Sequence, residues 1–344
     1  MRRFSRIIFI IIIYSNSLFA VNDEVILAEN FPRTLSEFNF FKSLNQQIPE
    51  GNVIPYELIS SLFSDYSQKL RFVYVPEGKE AIYRKDSVFN FPVGSALVKT
   101  FLYPVDERDS SLGINLLETR VLLKKESGWE AVSYVWNKEQ DEAFIKIAGK
   151  AIYTSWIDKA GEERKVRYKV PNKNECKECH ASNDVMTPIG PKARNLNKDF
   201  TYGDGIENQL YKWLELSLIK DYPKDLVGTV NWEDVDQDLN LRARAYLDIN
   251  CGHCHAPLGA ANSTGLYLNY SEKRPKHFGV YKSPVATGRG SGNLKYSIVP
   301  GHPEESILLL RMFSTDPGIM MPEAGRSLAH EEAVFLIEEW IKSM

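Results

Sequence analysis

Cysteine is scarce in this chain, four in 344 residues, far too few to staple a disulfide scaffold of this length. Positive charge is not in excess either: 42 lysines and arginines face 45 aspartates and glutamates, a formal net charge of −3. A protein built to grip nucleic acid needs a basic field, so none is expected as a partner. Glycine (21) and proline (17) are too few for a collagen-like or low-complexity chain. The 43% hydrophobic share is too high for a disordered one. Long apolar runs are missing beyond the N-terminus, so no stable membrane span is expected after it. The length itself argues for about two domains, each able to bury a core.

Residues 1–20 have the three parts of a secretory signal. Arg2, Arg3 and Arg6 are basic, residues 7–13 form an uncharged apolar run, and a small, polar stretch ends at Ala20. A spanning helix needs about 20 apolar residues, and this run is shorter. No cysteine follows it, so a lipoprotein anchor is not indicated. The expected location is the bacterial periplasm or the exterior. Losing those three arginines carries the formal charge from −3 to −6.

The four cysteines are placed with purpose. They read Cys176-Lys177-Glu178-Cys179-His180 and Cys251-Gly252-His253-Cys254-His255. Both are C-x-x-C-H, the signature of haem c attachment. Two thiols three positions apart on one helical turn can each add to a vinyl group along a haem edge. The next residue then presents its imidazole to the iron from the proximal side. The sequence thus assigns two covalently attached haem c groups, bound through Cys176, Cys179, Cys251 and Cys254. His180 and His255 are the expected iron ligands. Paired zinc knuckles lie about 15–20 residues apart, much closer than Cys179 and Cys251. A thioredoxin-like dithiol wants a βαβ context, and disulfides give no reason for a histidine after each pair.

Residues 205–344 read as a helical module. Leu239, Ala243, Tyr246 and Leu247 recur at helical spacing before the second motif. Ala333, Val334, Ile337, Trp340 and Ile341 make the stripe of a final helix that Ser327 can cap. A third helix is expected over 303–312, opened by proline. This order resembles class I cytochrome c, and the resemblance implies a distal thioether from the loop before the last helix. Met321-Pro322 resembles the Met-Pro pair of that class, which makes Met321 the implied axial ligand. Met320 substitutes if the loop register differs by one, and His302 is a harder alternative. Met312 sits in an apolar helical run and reads as core. His253 is expected to face solvent.

Residues 21–204 look different. A helix is expected at 56–66. Short runs at 97–103, 120–124, 131–136 and 143–148 are rich in β-branched, aromatic and other apolar residues, with turn clusters between them. The expected fold class is therefore α+β. A predominantly antiparallel β-domain carries the first haem c, and an all-α class I cytochrome c-like domain carries the second. The domain division is 1–20, 21–204 and 205–344.

Over nearly its full mature length the chain resembles a group of secreted bacterial di-haem c-type cytochromes. The likeness runs through Ser64-Asp65-Tyr66, Phe91-Pro92-Val93-Gly94, Lys99-Thr100-Phe101, Glu118-Thr119-Arg120 and Tyr134-Val135-Trp136-Asn137. It continues through Pro188-Ile189-Gly190-Pro191 and the stretch from Asn250 to His255. It implies an electron-transfer protein and names no substrate. The N-terminal half alone is similar to cytochrome c-prime-beta and the lysine-cross-linked haem proteins, through Phe-Pro-x-Gly, a strand with Lys99, and C-x-x-C-H. In those the haem packs on a sheet with its distal side open, so Lys99 is the position to inspect, against a plain reading as a solvent-facing strand lysine. The distal side of the first iron thus stays open among an empty position, Met186, Lys99 and a group from elsewhere.

The expected function is one-electron transfer by an exported di-haem cytochrome. The alternative is a di-haem enzyme, a peroxidase or a gas-binding or gas-converting one, with an open distal site at the first haem. A third class is an adaptor whose β-domain docks a partner. The acidic chain calls for a redox donor or acceptor bearing a basic docking patch.

Overall fold

The computed structural model describes residues 20–285 and 287–344. The signal segment expected at 1–20 lies outside the described residues except for Ala20. The chain opens with helix α1 (Asp23–Leu27) and a small pair of strands, β1 (Phe41–Ser43) and β2 (Ile48–Pro49). Six strands then follow: β3 (Val53–Pro55), β4 (Gln68–Tyr74), β5 (Ala96–Pro104), β6 (Ile114–Lys125), β7 (Gly128–Trp136) and β8 (Ala143–Ile145). They form one sheet in chain order, each neighbour antiparallel to the last. A separate hairpin, β9 (Lys150–Ile157) and β10 (Glu163–Val170), leads directly to helix α2 (Lys173–His180).

The second half is built from shorter pieces. After α2 come the hairpin β11 (Ala181–Ser182) and β12 (Val185–Met186), α3 (Ala193–Leu196), and the hairpin β13 (Asp199–Tyr202) and β14 (Gly205–Asn208). Helices α4 (Gln209–Glu215), α5 (Leu239–Asn250), α6 (Pro275–Phe278), α7 (Ile307–Phe313) and α8 (Glu331–Lys342) complete the order.

Successive strand residues point to opposite faces, and the two faces of the sheet are covered differently. On one, Phe72, Val98, Leu102, Val121 and Tyr134 pack beneath Ile26, Phe38 and Phe40 of the N-terminal segment. On the other, Val73, Leu97 and Leu122 pack against Leu210, Trp213, Ile219 and Ile249, which belong to the second half. Trp213 is completely buried there, and burial of so large a side chain is worth about 1.5–3 kcal/mol. Further along that face, Phe101, Tyr103 and Val135 lie under Trp156 and Tyr168 of the β9–β10 hairpin. α5, α7 and α8 form their own cluster through Ala243, Leu247, Met312, Ala333, Ile337 and Trp340.

Several expectations need correction. The chain is a mixed α/β structure, mostly β sheet with eight α-helices among the described residues, and the all-α class I cytochrome c-like domain over 205–344 is not seen. That region begins on strand β14, and parallel bridges join Val280 to Ile298 and Tyr296 to Ser306. The reason is local. Gly265, Gly279 and Gly292 take left-handed conformations (φ 61°, 113° and 56°) that end three of the short helical turns between α5 and α7. The apolar residues of α4 are meanwhile drawn into the sheet's core rather than into a helical bundle.

Residues 56–66 form no helix, and Asp65 and Tyr66 stand at positive φ. The helix expected over 303–312 splits into a 3₁₀ turn, Pro303–Glu305, and α7. His330, not Ser327, precedes α8.

Candidate functional site

The first motif closes α2. Asn172 caps that helix, its side chain accepting from the N–H groups of Asn174 and Glu175 while Glu175 accepts from the Asn172 N–H, a reciprocal capping box. Cys176, Cys179 and His180 therefore occupy successive positions of one rigid turn. The His180 Nδ1 lies 2.9 Å from the carbonyl of Thr187, just beyond β12. That carbonyl can only accept, so Nδ1 carries the proton and Nε2 keeps its lone pair. Burial, with Lys99 next in effect, pushes His180 down to about 3, so its imidazole is neutral. Such an imidazole, oriented by a carbonyl on its far nitrogen, is an immediate metal ligand.

The second motif begins where α5 ends. The Cys251 N–H donates to the Leu247 carbonyl at 2.9 Å, and the His255 N–H to the Cys251 carbonyl at 2.8 Å, so the motif is itself one helical turn. Two glycines allow it to be packed so tightly. A Cβ at Gly252 would lie 2.7 Å from the Asp248 carbonyl oxygen, and one at Gly259 would lie 2.1 Å from that of Cys254. Burial holds the Cys251 and Cys254 thiols up at about 12. All four cysteines are free. The Nδ1 atoms of His253 and His255 are buried without a hydrogen-bond partner. The expected solvent-facing His253 instead borders a cavity.

The two motifs meet. Ser182, just after the first, forms an antiparallel bridge with Gly259, just after the second, and the Asn183 N–H donates to the Leu258 carbonyl at 2.7 Å. A cavity of about 810 Å³, counting its mouth, is bordered by Cys179, His180, Cys251, Lys99 and Met321. A second, of about 550 Å³, lies between α2 and the β6–β7 face and touches Cys176, Cys179, His180 and Arg120.

Two of the methionines reach the larger cavity. Met321 borders the larger cavity with Cys251, whereas Met320 is buried at 6% exposure and borders neither. Met312 belongs to the helical cluster and also reaches the larger cavity. Met186 packs against the sheet's apolar face and borders neither. His302 is exposed, 3.2 Å from Glu304, and is not part of either cavity. Lys99 is not a solvent-facing strand lysine. Burial first, then the Arg120 and Arg71 guanidinium groups, pushes it down to about 7.

Sequence reasoning missed the residues that hold the methionine loop. The Arg326 guanidinium donates to the carbonyls of Met321 (2.9 Å), Leu328 (3.0 Å), Arg311 (3.0 Å) and Ser314 (2.8 Å). Asp65, from the sheet half, accepts from the N–H groups of Ser327 (2.7 Å) and Leu328 (2.8 Å). His330 stacks on Phe63 with centroids 4.0 Å apart, and its Nδ1 lies 3.1 Å from the Tyr246 hydroxyl. No spacing rule marks any of these: Asp65 and His330 have partners far away in sequence, and the carbonyls around Arg326 converge only once the loop is folded. Asp65 did fall within a segment carrying the family likeness, though without an assigned role.

No helix among the described residues is long and apolar enough to cross a membrane. Comparison with known proteins adds no neighbour: no family model, no curated protein and no solved structure matches this chain.

Proposed function

We propose that this chain is an exported di-haem c-type cytochrome that passes single electrons. The observation carrying this reading is the pairing of two C-x-x-C-H turns, each with free thiols and a buried neutral imidazole, joined by the Ser182–Gly259 bridge.

The donor set fits the group. Thiols three positions apart on a helical turn match the two vinyl positions on a haem edge, and His180 keeps Nε2 free. Cys176, Cys179 and His180 would hold the first haem, and Cys251, Cys254 and His255 the second. Met321 borders the larger cavity with Cys251, but so do Cys179 and His180 of the first motif, and neither Cys254 nor His255 lines it; its assignment as the second axial ligand rests on the Met-Pro resemblance. When bound, each haem supplies a reversible one-electron couple. The chain's own part is to hold the His180 imidazole in one tautomer, to limit water at the iron, and to keep the two attachment turns adjacent. The proposed location is the periplasm, and the proposed partner is a redox protein with a basic face, matched to the −6 charge left after export.

Denaturing gels stained for haem, with intact mass, test the reading. Two covalent haems are expected on the wild-type chain and one after Cys176→Ala/Cys179→Ala or Cys251→Ala/Cys254→Ala. Two haems on either double variant would overturn it.

A further inference from the structure

Three basic side chains stand side by side across the sheet. Arg71 on β4 pairs with Lys99 on β5, and Lys99 pairs with Arg120 on β6. Residues directly opposite have Cβ atoms about 4.5–5.5 Å apart, and like charges so placed destabilise a sheet. Lys69, two residues before Arg71, projects from the same face. Nor is the row at the rim of the molecule, since Arg71 is 7% exposed and the Arg120 side chain 21%.

One buried carboxylate answers this row, and it is already engaged. Glu118 takes both bonds of the Arg120 fork (2.8 and 2.9 Å) and accepts from the Tyr168 hydroxyl at 2.7 Å. Arg71 donates to the Ser61 hydroxyl at 3.1 Å, and Lys69 to the Ser67 carbonyl at 2.7 Å. Lys99 has no hydrogen-bond acceptor among the described residues. Its ammonium lies 5.0 Å from the centroid of the Phe101 ring, which it shares with Arg120 at 4.2 Å, and it borders the cavity that also holds His180. A sheet face that needed only packing would carry apolar or hydroxyl residues there. The reverse face does so at Thr100 and Thr119, whose hydroxyls pair at 2.8 Å.

We propose that Arg71, Lys99 and Arg120 form an anion-binding row, seating a carboxylate or small inorganic oxyanion on Lys99 in the cavity beside His180. The guanidinium groups supply positive charge on both sides, and the ammonium supplies donors with nothing else to serve. The site rests on the chain's own side chains and does not require the haem reading. Two sources can deliver the same chemistry: a propionate of a haem held at Cys176 and Cys179, or a free anion from solvent.

The test follows thermal unfolding of the full-length protein as purified against nitrate and phosphate, with ionic strength fixed by a bulky sulfonate salt. Wild type is compared with Lys99→Met and with Lys165→Met, the latter an exposed lysine of the hairpin. For a free anion, the midpoint rises and saturates in wild type and Lys165→Met, and Lys99→Met needs at least tenfold more anion. For a propionate, wild type does not respond, and the redox-induced infrared difference spectrum shows a carboxylate band that shifts in Lys99→Met but not in Lys165→Met. If Lys99→Met does not accumulate, Lys99→Gln takes its place in both arms. No anion response together with an unshifted carboxylate band would overturn the proposal. An anion response in a chain that carries no haem would keep the row and remove the haem reading, so the two fail separately.

Discussion

The same five-residue pattern occupies two opposite surroundings. Around Cys176–His180 the neighbours are a sheet face with Arg71, Lys99 and Arg120 in register, and a single buried carboxylate among them. Around Cys251–His255 they are the apolar cluster of α5, α7 and α8, the buried Asp248 paired with Lys192 and Arg194, and a thioether on the cavity wall. Ligand spacing decides where an imidazole points, but the surrounding charge decides which states the site favours. A basic row with a lysine that lacks an acceptor favours an electron-rich or anion-bearing state, while cations already paired to a buried carboxylate, beside a thioether, leave less charge to be answered. On the proposed function the two positions are therefore unequal, and the unequal one is the sheet position.

The comparison can be broken most directly at Glu118. Its side chain is fully buried and fixes Arg120, so Glu118→Gln leaves a guanidinium without its counter-charge. Breaking one side of such a pair costs about 3–5 kcal/mol. Denaturant unfolding should report a loss of that order. A loss below about 1 kcal/mol would mean that the cationic band is better solvated than its burial implies.

The helical position is sharpened by the two adjacent methionines. Met320→Ala removes a buried side chain and should cost about 2–5 kcal/mol with little change in the optical spectrum. Met321→Ala should cost less stability and, on the proposed function, alter the spectrum of a haem held at the second motif. Exchange of these two outcomes would transfer the axial role to Met320.

A graded effect, set by pH, is expected where the two regions touch, at His330. Burial chiefly, then Lys69 and Arg326, pushes this imidazole down to about 3 from an ordinary 6.5. Between those values the unfolded chain binds the extra proton. Stability is therefore full above pH 6.5 and falls as the pH drops towards 3, by up to about 1.4 kcal/mol per unit. His330→Asn should flatten that slope in acid unfolding. An unchanged slope would assign the acid sensitivity to other groups.

What was legible in the sequence was short in range. The strand at 97–103, the helices at α5 and α8, and the two cysteine turns all show as patterns within about a dozen residues. What was not legible depends on register and on distant partners. Nothing in the spacing of Arg71, Lys99 and Arg120 shows that three strands bring them into one row. Arg326 looks like an ordinary loop arginine until its four carbonyl partners are placed around it. The all-α expectation for 205–344 failed for the same reason. It treated that stretch as closing on itself, whereas Leu210, Trp213 and Ile249 complete the core of the sheet.

The bridge between Ser182 and Gly259 also has a bearing on the order of events in the life of the chain. It forms only when segments far apart in sequence have come together, joining the stretch just after one cysteine turn to the stretch just after the other. Burial holds the Cys251 and Cys254 thiols up at about 12 in the folded chain, and it is the thiolate, not the thiol, that reacts. On the proposed function, attachment at the second turn is therefore expected to precede the closing of the fold around it.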